Sequence, residues 1–161
     1  MMNNIKKVAA AQISPVFLNK KRTVEKACKA ILEAGESGAE LIVFPEAFIS
    51  GYPDWVWLIP NSKGAALNEL YAELVENAIS VGDQSTEALC KAAKTAGINV
   101  IMGMHERNTE SSNASLFNSL LFIDDQYEHG RSPKSHDRRN LIGPKIAGNP
   151  IVRIRRKMNI S

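Results

Sequence analysis

Leu41-Ile-Val-Phe-Pro-Glu-Ala-Phe-Ile-Ser-Gly-Tyr-Pro-Asp-Trp-Val-Trp57 is the stretch that decides the fold. Four apolar residues in a row read as a buried strand, Pro45 ends it, and Glu46 stands at its C-terminal end. A Pro- and Gly-broken loop carrying Tyr52, Trp55 and Trp57 follows. Short, continuously apolar strands belong to parallel sheets covered on both faces, and open α/β sheets keep their chemistry beyond the carboxyl ends of such strands. Glu46 is therefore a candidate general base, and the three aromatics are candidate walls of a small-molecule pocket. The structural alternatives are a loop carboxylate that caps a helix and aromatics that only pack a core or an interface.

Upstream, Ile5 to Ile13 reads as a strand stopped by Ser14-Pro15. Val24, Ala27, Cys28, Ile31 and Leu32 fall on one helical face, with Gly35 and Gly38 as its stop. Strand, helix and strand make a βαβ unit. Downstream, Leu67, Leu70, Tyr71, Leu74, Val75, Ala78 and Ile79 repeat the helical spacing. Asp83 and Ser85 are candidate caps of a third helix with Leu89, Ala92, Ala93 and Ala96 inward and Gly97 at its end. Ile98–Met104 and Leu116–Ile123 read as strands joined through a polar hairpin connection over 108–113. His105 and Glu106 look like a site pair, but Glu106 and Arg107 read better as a structural ion pair.

A composition break follows. Residues 1–126 hold 11 basic and 15 acidic side chains, a net charge of −4, whereas residues 127–161 hold 9 basic and 2 acidic, a net of +7. Residues 127–140 follow neither the helical nor the strand period. Ile151–Met158 reads as a basic strand with no partner the sequence identifies. The basic run lacks aromatic interleaving, so nucleic-acid binding is not expected of it. No apolar run reaches membrane-span length, and the N-terminus lacks the apolar core of a secretory signal. Cys28 and Cys90 sit in helical patterns, which suits reduced thiols and a cytoplasmic protein. No zinc spacing or Gly-rich phosphate loop stands out.

Val8-Ala-Ala-Ala-Gln-Ile-Ser-Pro15, Gly38-Ala-Glu-Leu-Ile-Val-Phe-Pro-Glu-Ala-Phe48, Gly51-Tyr-Pro-Asp-Trp-Val-Trp57, Gly103-Met-His-Glu-Arg-Asn108 and Ser119-Leu-Leu-Phe-Ile-Asp124 together resemble the nitrilase superfamily of carbon–nitrogen hydrolases, on the branch of the nitrilases and cyanide-degrading enzymes. The resemblance covers residues 5–126. It implies an α/β fold, here the truncated N-terminal part of an α-β-β-α sandwich, and association through helices into homo-oligomers. It implies hydrolysis of a nitrile to carboxylic acid and ammonia by a Cys nucleophile, a Glu base and a Lys that stabilises negative charge, with no cofactor or metal. Glu46 matches the Glu. The Lys belongs in a His-Arg-Lys segment soon after the Phe122-Ile123-Asp124 strand, and the Cys in a later Gly-x-x-x-Cys-Trp-Glu segment; the chain contains neither as such.

Residues 127–139, back-translated with suitable codons and shifted by one base, read Met-Asn-Met-Gly-Val-His-Arg-Lys-Val-Met-Thr-Val-Gly. The expectation is that residues 1–126 are the N-terminal part of the hydrolase domain and 127–161 an atypical basic tail produced by a frameshift near Gln126. The chain is then an inactive nitrilase-type fragment. The alternative is a genuine short paralogue that acts through association or its tail. Lys134, near the expected Lys, reads as a solvated residue.

Overall fold

The structure is a computed structural model that describes residues 5–107 and 115–125, with the backbone of 134–135 and 151–157. Strand β1 (Val8–Ala10) leads to helix α1 (Lys20–Glu36), β2 (Leu41–Val43), a short helix α2 (Trp55–Leu58), α3 (Gly64–Glu76), α4 (Gln84–Ala96), β3 (Asn99–Arg107) and β4 (Leu116–Ile123); β5 (Lys134–Ser135) and β6 (Ile151–Lys157) follow. They form one sheet in the order β1-β2-β3-β4-β6-β5. β1, β2 and β3 run parallel, with Val8 beside Leu41 and Leu41 beside Asn99. β4 returns antiparallel to β3, with Val100 opposite Ile123 and Arg107 opposite Leu116. The expected α/β class and βαβ unit are present. The connection over 108–113 lies outside the described residues.

Two-residue alternation divides the sheet's faces. Val100, Met102 and Met104 of β3 and Leu121 and Ile123 of β4 join Ile42 and Phe44 in a core closed by Val24, Ala27 and Ile31 of α1 and Leu89, Cys90 and Ala93 of α4. The opposite face carries Leu41, Val43, Ile101, Leu120 and Phe122, each only partly buried. A second cluster of Trp55, Leu74, Ala78 and Leu116 lies under α3.

Local chemistry explains most boundaries. Asp83 Oδ1 accepts from the Thr86 backbone N–H at 3.0 Å and caps α4, and Gly97 ends that helix in the left-handed conformation at φ +63°. Gly35 does not stop α1, as the sequence suggested. It lies within the helix, where a Cβ would come 2.8 Å from the Cβ and carbonyl oxygen of Ala96, so it is the close contact between α1 and α4. Ser37 and Gly38 (φ +78°) end the helix instead. β1 is shorter than Ile5–Ile13, with Ile5 exposed. β3 is longer than expected because its edge continues past β2: Ile49 bridges to Met104 and Ile79 to Glu106. The basic strand does have a partner, since β6 pairs antiparallel with β4 along its length.

Candidate active site

Glu46 is presented by a loop that leaves the sheet and returns to it within five residues. The Phe44 N–H donates to the Ile101 carbonyl at 2.8 Å, and the Ile49 N–H donates to the Gly103 carbonyl at 3.1 Å. Between these two ties, Pro45 to Phe48 pass over Gly103. A Cβ on Gly103 would lie 2.1 Å from the Pro45 carbonyl oxygen and 2.8 Å from Glu46 Cα, so only glycine fits there. Ala47 (φ 51°) and Ser50 (φ 85°) hold left-handed backbone conformations, which cost free energy and persist where the surroundings enforce them. The surroundings do so: Ala47, Phe48, Ile49 and Ser50 are buried, the Phe44 and Phe48 rings lie 5.1 Å apart, and Ser50 Oγ donates to the Asn77 carbonyl. Glu46 alone among residues 46–50 is exposed.

Its carboxylate is held. Asn118 Nδ2, from β4, donates to Glu46 Oε1. Asn118 stands directly opposite His105 in the β3–β4 ladder, on the partly exposed face. His105 is fully buried, and neither ring nitrogen has a hydrogen-bond partner among the described residues. Burial lowers its pKa from 6.5 to about 4; the nearby Ile49 carbonyl and the Glu46 charge pull upward without prevailing. The imidazole is therefore neutral near pH 7 and gives Glu46 no positive charge.

Glu106 and Arg107, expected to pair with each other, are instead seen bonded to other groups. Glu106, buried on the core face, accepts from Ser119 Oγ at 2.8 Å, and Arg107 donates from Nε to the Val75 carbonyl at 3.1 Å. The three aromatics separate. Trp55 is 6% exposed in the second cluster, with its indole N–H unpartnered among the described residues, while Tyr52 is 53% and Trp57 79% exposed.

Both cysteines lie across the sheet from Glu46. Cys90 on α4 is in the core, its thiol pushed up to about 12 by burial and by the neighbouring Glu87 charge. Cys28 on α1 packs against the same core, and burial raises its thiol too, with Glu25 adding to it. Neither supplies a thiolate at Glu46. Lys134 begins β5, two strands beyond β4. The register of β6 sets Arg156 opposite Asn118 and Lys157 opposite Phe117. Among the described residues no cluster of three His, Cys, Asp or Glu could hold a metal ion, and no helix is long and apolar enough to cross a membrane.

Sequence reasoning missed Asn118. The Ser119-to-Asp124 motif begins one residue after it, and only the fold brings it to Glu46, 72 positions away in sequence.

The family model described as carbon-nitrogen hydrolase matches residues 7–157. An arylacetonitrilase of Hypocrea virens is 35% identical over 147 residues, which cover 89% of this chain and 42% of that protein. An aliphatic nitrilase of Rhodococcus rhodochrous is 36% identical over 118 residues, 73% of this chain and 29% of that one. In three dimensions the chain superposes on an amidase of Nesterenkonia sp. AN1 with a TM-score of 0.54 and 19% identity, covering 75% of this chain and 40% of the amidase. The chain thus spans between 29% and 42% of the length of these relatives.

Proposed function

The chain belongs to the carbon-nitrogen hydrolase family, and on that premise we propose that it is the base-bearing part of a nitrilase-type hydrolase, without activity as the polypeptide given. The parent reaction takes a nitrile and two waters to a carboxylic acid and ammonia. A Cys thiolate attacks the nitrile carbon, Glu46 transfers the protons as general base and then acid, and a Lys stabilises the developing negative charge. The observation that carries this reading is the posture of Glu46. It is the exposed carboxylate of a buried, tied-down loop at the end of a parallel strand, clasped by Asn118. Preorganisation of this kind is what proton transfer needs.

The missing member is the nucleophile, since Cys90 is buried and Cys28 partly buried on the helix side of the sheet, both with raised thiol pKa values. The cation has two candidate sources. If residues 127–161 are out-of-frame translation, the His-Arg-Lys segment lies in the shifted frame. The pairing of β6 with β4 favours a second reading. Its Arg155-Arg156-Lys157 run alongside β4 stands in for His-Arg-Lys, and Lys157 is the family's lysine. Tyr52 and Trp57 are the aromatics free to meet a nitrile, while the burial of Trp55 fits a packing role. Free thiols at Cys28 and Cys90 fit a reducing, cytoplasmic setting.

Sequencing the coding DNA from the Phe122 codon onward tests the proposal. A Gly-x-x-x-Cys-Trp-Glu segment downstream, in either frame, is expected, and the chain extended through it should release ammonia from a nitrile. Glu46→Gln should lower that rate by about 10²–10⁴. An extended chain that hydrolyses no nitrile, or steady ammonia release by the polypeptide as given, would overturn it. Salt-sensitive binding of unrelated DNA by the tail would instead favour the non-catalytic alternative.

A further inference from the structure

We propose that Asn118 is the positioning residue of Glu46: its amide holds Oε1 and leaves Oε2 as the oxygen that takes up a proton. This rests on the reading of Glu46 as the base. An exposed glutamate on a strand end ordinarily samples several rotamers, and a base must keep one orientation through the reaction. The loop fixes the Glu46 backbone from below, through Gly103 and the ties at Phe44 and Ile49. Nothing in that loop fixes the carboxylate; the Nδ2–Oε1 hydrogen bond from β4 does so from the side.

An asparagine suits the task. Its NH₂ donates at every pH and carries no charge, so it orients the carboxylate without changing protonation state itself. The His105 ring, on the residue directly opposite Asn118, is buried, and neither of its nitrogens has a hydrogen-bond partner among the described residues. Asn118 therefore acts through Glu46 and need not touch the reacting atoms.

The test uses the 161-residue chain, isotope-labelled for NMR. The Asn118 side-chain amide protons are followed from about pH 7 to about pH 3, the range that spans carboxylate ionisation. The expected result is an Asn118 amide signal that moves as the pH falls and loses that movement in Glu46→Gln, while the β3 and β4 backbone amides stay dispersed. Glu46→Asp, which withdraws the carboxylate by one methylene, is the second variant and should shrink the movement. An Asn118 signal that does not move, or moves equally in Glu46→Gln because it follows His105, overturns the proposal. The outcome is independent of turnover. In the extended chain Asn118→Ala should lower kcat on the order of 10²-fold with KM little changed. A coupled amide in a chain that hydrolyses nothing would overturn only the role of Glu46 as a base.

Discussion

His105 shows what burial does to a side chain that the sequence presented as half of a site pair. With its pKa lowered from 6.5 to about 4, the folded state resists a proton that the unfolded state accepts. The sign follows: the unfolded chain binds more protons between these values, so stability is full above about pH 6.5 and falls as the pH drops toward 4. The shift corresponds to about 3 kcal/mol. Urea denaturation of the parent should show its midpoint falling between about pH 7 and 4, with His105→Asn flattening that slope. An equal slope in both proteins would show that His105 is not the group responsible. The cysteines obey the same physics in the opposite direction. Cys90, pushed up to about 12, should resist a thiol reagent near pH 8 in the folded chain and react on unfolding. At this scale the position of Glu46 just past the end of its strand was legible from the strand, proline and glutamate order. Asn118 was not, because a hydrogen bond between residues 72 positions apart leaves no periodic trace.

At the scale of elements, the capping and closing of α4 could be read directly because Asp83 and Gly97 act on their own helix. Leu116–Ile123 matched its strand to the residue. Gly35 was misread because its role is set by Ala96 on another helix, and a helix-breaking residue in sequence is equally a close-packing residue in space. Trp55 and Trp57 parted because residues two apart on a helix point to different sides, so α2 buries one and exposes the other. The pairing of β6 was unreadable because strand partners are chosen by the whole sheet. The Gly103 seat makes the sharpest prediction here. Gly103→Ala puts a methyl against the Pro45 carbonyl and Glu46 Cα, backbone atoms that cannot rotate away. It should destabilise the chain by about 2–3 kcal/mol and detach Glu46 from Asn118, read by urea denaturation and by the Asn118 amide signal. Asp83→Ala, by contrast, should cost about 1 kcal/mol for the lost cap and leave that signal unchanged.

The whole molecule is a sheet with one finished face. α1 and α4 seal one side with Ile31, Leu89 and Met102 fully buried, whereas Leu41, Val43, Ile101, Leu120 and Phe122 on the other are only partly buried, and the described residues provide no second sheet over them. In the sandwich that the resemblance implies, this face meets another sheet. Apolar surface left open in water is removed by association, at about 25 cal/mol per Å² covered. The polypeptide as given should therefore sediment as dimers or larger species at micromolar concentration. Leu120→Lys and Phe122→Lys together should shift it toward monomer without unfolding it, because both residues point away from the α1–α4 core. Analytical ultracentrifugation with circular dichroism on the same samples decides the matter. Association that survives both lysines with the helix signal intact would move the contact to another surface, with Trp57 and Leu58, 79% and 75% exposed on α2, the next to change. A parent chain that is monomeric and unfolds in one sharp transition would mean that this half of the sheet closes upon itself.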